Sequence, residues 1–287
     1  MLHQEVAMAD KNSPPTGIID SHAHIDFPQY SDDRDAMIDR MTDAGVGGVI
    51  CIGTRLTHAD QPQKMAELYE NVWFTVGVHP NHAHDQPDAT KPEIYRSRIE
   101  HPKCVGIGEA GLDYFHNKAE PEVQKSAFQT QLELALETGL PIVIHSRDAD
   151  QDMAEMLEQA AGEGQLNGVM HCFSSGAELA ERALKIGFYI SFSGILTFNR
   201  SDTLRKLAAE VPKERLLVET DAPYLSPHPM RHIKRNEPAL VRHTLECLAG
   251  LHDMSVAEMT AITNSNTQKL FSRIAGSQTS PANGALS

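Results

Sequence analysis

From residue 17 onward the chain alternates short apolar runs, polar turns and amphipathic stretches, and the alternation can be placed eight times. The apolar runs are GIID (17–20), GVGGVICIG (45–53), VWFTVGV (72–78), CVGIG (104–108), PIVI (141–144), GVM (168–170), GFYISFSG (187–194) and LLVE (216–219). Near-continuous aliphatic and β-branched runs of this length suit strands buried on both faces of a parallel sheet. Between them lie helical patterns. The clearest is PEVQKSAFQTQLELALETG (121–139), where Val123, Phe128, Leu132 and Leu136 form one stripe and Gly139 offers a stop. Others start at Asp or Ser in N-cap position, over 32–44, 148–161, 175–186 and 201–210, with a weaker pattern over 91–100. Eight strand-helix alternations are the count of an α/β, (β/α)₈ TIM barrel in a single domain, because right-handed crossovers close the ring. A doubly wound open sheet is the alternative, but no GxGxxG opens a helix after the first strand.

A long loop (222–236) and two helices (237–251 and 255–274) follow the eighth strand. The expected organisation is a flexible leader over 1–16, a barrel over 17–274 and a disordered Gly/Ser/Pro tail over 275–287. At 287 residues the length suits one barrel of about 250 residues. Hydrophobic residues at 40% and charged residues at 22% are globular averages. No apolar run approaches the roughly 20 residues of a membrane span, and the polar, acidic leader lacks the basic start and apolar block of a signal peptide. These features predict a cytoplasmic protein without membrane association. Cys51, Cys104, Cys172 and Cys247 form no CxxC pair, which argues against a disulfide framework or zinc knuckle. A formal charge of −14 argues against electrostatic coating of nucleic acid, so any nuclease needs local positive charge from metals or arginines.

In a (β/α)₈ barrel the chemistry collects at the C-terminal ends of the strands. There the first strand offers His22 and His24 in DSHAHID, whose i, i+2 spacing puts both imidazoles on one face. The fourth ends in Glu109, the fifth in His145, the sixth in His171 and the eighth in Asp221. One isolated histidine after a strand is ordinarily a satisfied loop residue. Four imidazoles and two carboxylates at matching positions form a buried cluster that is costly unless metal or protons join it. Mixed nitrogen and oxygen donors suit Zn²⁺, Mn²⁺ or Co²⁺ better than Ca²⁺. Six ligands are too many for one catalytic zinc, whereas two divalent metals about 3.5–4 Å apart, bridged by Glu109, would use them all.

The motifs DSHAHID, VGVHP, GIGEAGLDY, IVIHSRD, MHCFS, VETDAPYL and NEP together resemble the TatD family of metal-dependent hydrolases, within the amidohydrolase superfamily, over residues 18–271. The resemblance implies a TIM barrel, a divalent metal centre of two ions (Zn²⁺, Mn²⁺, Mg²⁺ or Co²⁺) and phosphodiester hydrolysis, commonly a 3′ to 5′ exonuclease or DNase activity. It places His22, His24, Glu109 and Asp221 on one metal, and Glu109, His145 and His171 on the other. It makes nucleic acid, as single-stranded DNA or 3′ ends, the expected substrate, with no obligate protein partner. One departure stands in the long loop, where RHIKRNEP (231–238) carries His232 and Ile233 in place of the family's single Gly.

The expected mechanism is attack on phosphorus by a metal-bound hydroxide, with Asp221 taking the proton of the water and Glu109 bridging the ions. Substrate-binding roles fall to His79, which closes the third strand, and to Arg147, whose fork suits phosphate oxygens. Asp113 and Glu219 are candidates for orienting ligand imidazoles, with capping or core-lining roles equally open. Cys172 reads as a structural thiol turned away from the neighbouring His171. Tyr224 and Phe198 can stack a nucleobase or simply pack on the barrel rim. His82 and His84 repeat the HxH spacing in a polar loop, where solvation is the expected fate. Two rival readings remain. One is hydrolysis of an amide, lactone or cyclic imide at the same centre, although superfamily members of that type often carry a bridging lysine where Glu109 stands. The other is a scaffold that binds metal without turnover, although no ligand is missing.

Overall fold

The computed structural model describes residues 17–275, so the anticipated leader (1–16) and nearly all of the tail (276–287) lie outside the described residues. Eight parallel strands follow in sequence order around one sheet: β1 (Ile18–Ala23), β2 (Val46–Cys51), β3 (Val72–Val76), β4 (Cys104–Asp113), β5 (Ile142–Arg147), β6 (Gly168–Met170), β7 (Tyr189–Phe192) and β8 (Leu216–Val218). The ring closes where Ala23 bridges Ala222 in parallel and the His24 amide donates to the Ala222 carbonyl at 2.7 Å. The crossovers are α1 (Arg34–Asp43), α2 (Asp60–Leu68), α3 (Pro92–Ile99), α4 (Pro121–Thr138), α5 (Asp150–Glu163), α6 (Ala177–Lys185) and α7 (Asp202–Glu210), followed by α8 (Val241–Leu251) and α9 (Val256–Leu270). The TIM barrel expected from eight alternations is the observed fold.

Period-two alternation stacks the barrel interior in layers. Val105, Val143, Val169 and Leu217 form an aliphatic layer with Ile50, Tyr189 and the end of α9. Two residues further along the same strand face stand His145, His171 and Glu219. Leu270, Phe271 and Ile274 pack beneath the aliphatic layer, and the Arg273 guanidinium donates to the carbonyls of Ile99 and Cys104 at 2.8 and 2.7 Å. The last described turn thereby plugs the end of the barrel opposite the histidines. Truncating fully buried Phe271 to alanine is expected to cost about 3–5 kcal/mol in urea unfolding. A cost below about 1 kcal/mol would show that the plug contributes little.

Several local expectations change. Strand β4 does not end at Glu109 but continues to Asp113, and its register against β5 shifts between Ile107 and Ala110. Gly108 in this irregularity has φ +131°, a conformation L side chains rarely adopt, and a Cβ there would meet the Val143 carbonyl oxygen. Glu109 therefore projects from within a strand. His22 and His145 likewise lie inside β1 and β5 rather than beyond them. Helix α2 was not anticipated, because Pro62 in its first turn masks the pattern. The expected Asp and Ser starts shift by one residue in three cases: the N-caps of α1, α5, α6 and α7 are Asp33, Ala149, Gly176 and Ser201, and none makes a side-chain cap hydrogen bond. At α1 the reason is that the Asp33 carboxylate pairs with Arg40 and Arg235 instead. Ser255 and Glu258 do form a reciprocal capping box on α9. Gly139 ends α4 at φ +69° as expected, but Val123 is 41% exposed and the buried face of α4 includes Gln124 and Gln131.

Candidate metal centre

The six anticipated ligands converge at the C-terminal mouth of the barrel. Glu109 stands at the middle, almost fully buried, with its two oxygens facing different groups. Its Oε2 lies 3.5 Å from His22 Nε2 and 3.8 Å from His24 Nε2. Its Oε1 lies 3.0 Å from His145 Nδ1 and 2.8 Å from His171 Nε2. Asp221 Oδ1 completes the first group, at 3.7 Å from His22 Nε2 and 3.4 Å from His24 Nε2. The groups are not insulated, since the His22 and His171 rings stack at 3.8 Å and 8°, and His22, His171 and Asp221 also present donor atoms within one cluster. Asp221 reaches inward because the chain turns sharply after β8. Its φ is +54°, which Asp tolerates better than most residues, and its amide donates to the His22 carbonyl at 2.9 Å.

Outer contacts orient three of the imidazoles. His24 Nδ1 faces the Ile52 carbonyl at 3.3 Å, His145 Nε2 faces Asp113 Oδ2 at 3.2 Å, and His171 Nδ1 faces Glu219 Oε1 at 3.2 Å. The orienting role considered for Asp113 and Glu219 is thus matched by direct contact. Each carboxylate is itself held: Asp113 accepts from Asn81 Nδ2 and the His116 amide, both at 2.9 Å, and Glu219 accepts from the Cys172 amide at 2.7 Å. The Cys172 thiol meets Ser193 Oγ at 3.1 Å, and burial pushes its pKa well above the usual value.

Four contributors were not singled out from sequence. The Gln124 carboxamide accepts from the Asp113 amide and donates to the Asp113 carbonyl, while Gln131 does the same to Val78, the residue before His79. Two fully buried glutamines seven residues apart on the α4 face are the sequence signal that was available. Asp20 lies beneath the ligands and accepts from the Thr220 amide and hydroxyl at 2.9 and 2.5 Å. Burial pushes its pKa up to about 8 despite those hydrogen bonds. Phe27 stacks on the His24 ring at 4.7 Å and limits its rotation.

The substrate-contact candidates separate. His79 joins the ring, with Nε2 3.4 Å from Glu109 Oε1 and its ring 4.4 Å from that of His145. Arg147 is exposed on the rim, 4.9 Å over the Phe115 ring, and lines a cleft of about 870 Å³ with Ser174, Ser175, Phe198 and Leu225. Phe198 is covered by the Arg231 guanidinium at 3.7 Å, whereas Tyr224 is 50% exposed at 6.3 Å from the His24 ring. Arg235 is occupied by Asp33, and the Asn236 carboxamide donates to the carbonyls of Thr220 and Tyr224, so this part of the long loop holds the mouth together. His84 is exposed and His82 half-buried, and neither belongs to the donor clusters found among the described residues.

These residues fit a metal centre. His22 is fully buried, yet neither of its ring nitrogens has a hydrogen-bond partner, and its Nε2 faces two carboxylates just beyond hydrogen-bonding distance. The mixed imidazole and carboxylate donors match divalent transition metals. Burial opposes charge on every member. Even so, the neighbouring imidazoles His171 and His145 hold Glu109 well below the usual carboxyl range. Burial likewise works against protonating His24, His145 and His171, but hydrogen bonds and charge from Asp221, Asp113, Glu109 and Glu219 outweigh it and raise all three. Protons therefore compete with metal from above the ordinary histidine range. Metal affinity is expected to rise as pH climbs through and beyond the ordinary histidine range, with protons released on binding, as calorimetry in buffers of different ionisation enthalpy would measure. In the metal-free protein the sign reverses: these imidazolium contacts stabilise below the unfolded-state pKa and are lost as pH rises through the higher folded-state values.

Residues 19–272 match the family described as TatD related DNase. The uncharacterized metal-dependent hydrolase YabD of Bacillus subtilis is 37% identical over 254 residues, covering 88% of this chain and 98% of that protein. The 3′-5′ ssDNA/RNA exonuclease TatD of Escherichia coli K12 is 36% identical over 259 residues, covering 88% and 98%. Among solved structures, the TatD homologue YJJV of E. coli K12 superposes with a TM-score of 0.82 at 30% identity, covering 89% of this chain and 98% of that one. No described helix is long and apolar enough to cross a membrane.

Proposed function

The chain belongs to the TatD family of metal-dependent hydrolases, and we propose that within it this enzyme cleaves phosphodiester bonds, as a deoxyribonuclease working from 3′ ends of single strands. The observation that carries the reading is the placement of Glu109, one oxygen towards His22 and His24 and the other towards His145 and His171. An anionic bridge at the centre of five imidazoles suits two divalent ions and a substrate whose charge they offset. We assign His22, His24, Glu109 and Asp221 to one ion, and Glu109, His145 and His171 to the other. Bound there, the ions would lower the pKa of an attacking water and neutralise charge developing on the phosphoryl oxygens.

The chain's own groups supply the rest. Asp221 is 15% exposed, against 3% for Glu109, and its carboxylate accepts the proton of the attacking water. Burial disfavours its charge, but the His24 hydrogen bond and the nearby imidazoles hold its pKa below the usual range, so it is ionised at neutral pH. Arg147 meets a flanking phosphate from the rim of the cleft, and half-exposed Tyr224 offers a face to a terminal base. The test is a substrate panel with Mn²⁺, Mg²⁺, Zn²⁺ or Co²⁺. It contains 5′-labelled single-stranded DNA, the same strand blocked at its 3′ end, duplex DNA, RNA, and representative amides, lactones and cyclic imides. The expected result is mononucleotide release from free 3′ ends of the single strand. Turnover of an amide, lactone or imide exceeding that of every phosphodiester would reassign the enzyme.

A further inference from the structure

The outer partners of the ring histidines divide them by which nitrogen carries the proton. A neutral imidazole has one N–H and one lone pair, and the group facing one nitrogen decides the state of the other. For His24 the outward nitrogen faces a carbonyl, and for His145 and His171 it faces a carboxylate. These acceptors take the proton outward and leave a lone pair pointing into the centre, as a ligand must have. His79 is reversed. Its outward Nδ1 accepts from the Asn81 backbone amide at 3.0 Å, and an amide N–H can only donate. The lone pair of His79 therefore points outward, and its N–H lies on Nε2, which faces the Glu109 carboxylate and the His145 ring.

The reversal is built in. His79 is the N-cap of the 3₁₀ turn Pro80–Asp85, so the Asn81 amide that it accepts would otherwise be an orphan of that turn. The backbone is pinned on both sides, by the Gln131 carboxamide on Val78 and by the His79 amide donating to the Thr54 carbonyl at 3.0 Å. The Asn81 side chain is tied to Asp113, the carboxylate that orients His145, so the ligand His145 and the donor His79 share one support. Ligation through Nε2 would force the proton onto Nδ1, donor against donor with Asn81.

We propose that His79 is not a metal ligand but a catalytic hydrogen-bond donor, its Nε2–H directed by the Asn81 amide onto the non-bridging oxygen of the scissile group. Resting on the phosphodiester reading above, this gives the developing negative charge one fixed donor besides the metals. A preorganised neutral donor acts more strongly in the transition state than in the ground state, so its loss appears in kcat rather than KM.

The test combines metal content, tautomer and kinetics. Long-range ¹H–¹⁵N spectra of the imidazoles in the metal-loaded protein should show His79 protonated on Nε2, opposite to His171. A His79→Leu variant, checked for an unchanged melting temperature, should keep the wild-type ratio of Zn²⁺ or Mn²⁺ per chain. On bis(p-nitrophenyl) phosphate its kcat should fall about 10²–10³-fold with little change in KM. His79→Gln, which keeps an N–H donor near the Nε2 position, should recover most of that loss. Loss of metal from folded His79→Leu, an Nδ1 proton on His79, or a His79→Gln protein as slow as His79→Leu would each overturn the assignment. A wild-type protein inactive on all phosphodiesters would instead remove the substrate reading, while tautomer and metal content would still decide whether His79 is a ligand.

Discussion

Replacing Glu109 with glutamine is expected to empty the centre and to lower phosphodiesterase activity at least about 10³-fold, the scale of losing a central preorganised electrostatic contact. Glutamine keeps nearly the same volume, so the barrel should survive. What is lost is the anion that His145 and His171 contact at 3.0 and 2.8 Å and that lies closest to His22. A carboxamide presents one oxygen where the two groups of imidazoles call for two. In the metal-free variant, His171 and His145 lose one of the two carboxylates that raise their pKa values and keep the other, Glu219 and Asp113 respectively, so protonation weakens without leaving an unpaired buried cation. Metal analysis after dialysis and activity under saturating Mn²⁺ together measure the effect. A Glu109→Gln protein with its full complement of ions and more than a tenth of wild-type activity would rule out Glu109 as the bridge.

The second large effect is expected at Asp221. An Asp221→Asn substitution preserves shape but removes both a ligand and the proton acceptor, so kcat should fall about 10²–10⁴-fold. The group holding His145 and His171 does not include this carboxylate, so the variant should retain metal on that side. Metal content between none and the wild-type value, combined with the loss of rate, distinguishes this variant from Glu109→Gln. Because His24 and the other imidazoles hold the pKa of Asp221 below the usual range, its protonation should not set the acid limb of the rate profile near neutrality. That limb should follow imidazole protonation and metal loss. Full activity in Asp221→Asn would sink its assignment as proton acceptor.

Much of the site was legible because a buried parallel strand leaves a strong trace. The runs around Val105, Val143, Val169 and Leu217 mark their strands, and period-two counting carries the eye from Val143 to His145 and from Val169 to His171. Strand ends were less legible. Strand β4 continues past Glu109 because Ala110–Asp113 pair with Ile144–Arg147 after a register shift, and that pairing is a property of two strands. The roles of Gln124 and Gln131, which hold Asp113 and Val78, were not legible, because each depends on a segment brought to it by the fold. Cap residues misled for a similar reason: Asp33 has the right chemistry for a cap, but a loop 202 residues away in sequence brings Arg235 to it. Spacing alone also failed to separate HxH at His22 and His24 from HxH at His82 and His84, and only their positions in the barrel did so.

The amino-acid sequence by itself determined the eightfold alternation, the barrel, and the six side chains gathered at its mouth, because hydrophobic periodicity and the order of motifs after each apolar run are local properties, whereas the exact strand ends are not. The tertiary structure alone decided which nitrogen of each imidazole points inward, which oxygen of Glu109 meets which histidines, and which aromatic stays open to a ligand. Those outcomes depend on contacts between residues far apart in the chain, such as Glu219 with His171, the Ile52 carbonyl with His24, and Arg231 over Phe198. A proton on one side of a ring is set by whatever group the fold places on the other side, and no pattern along a single strand carries that information.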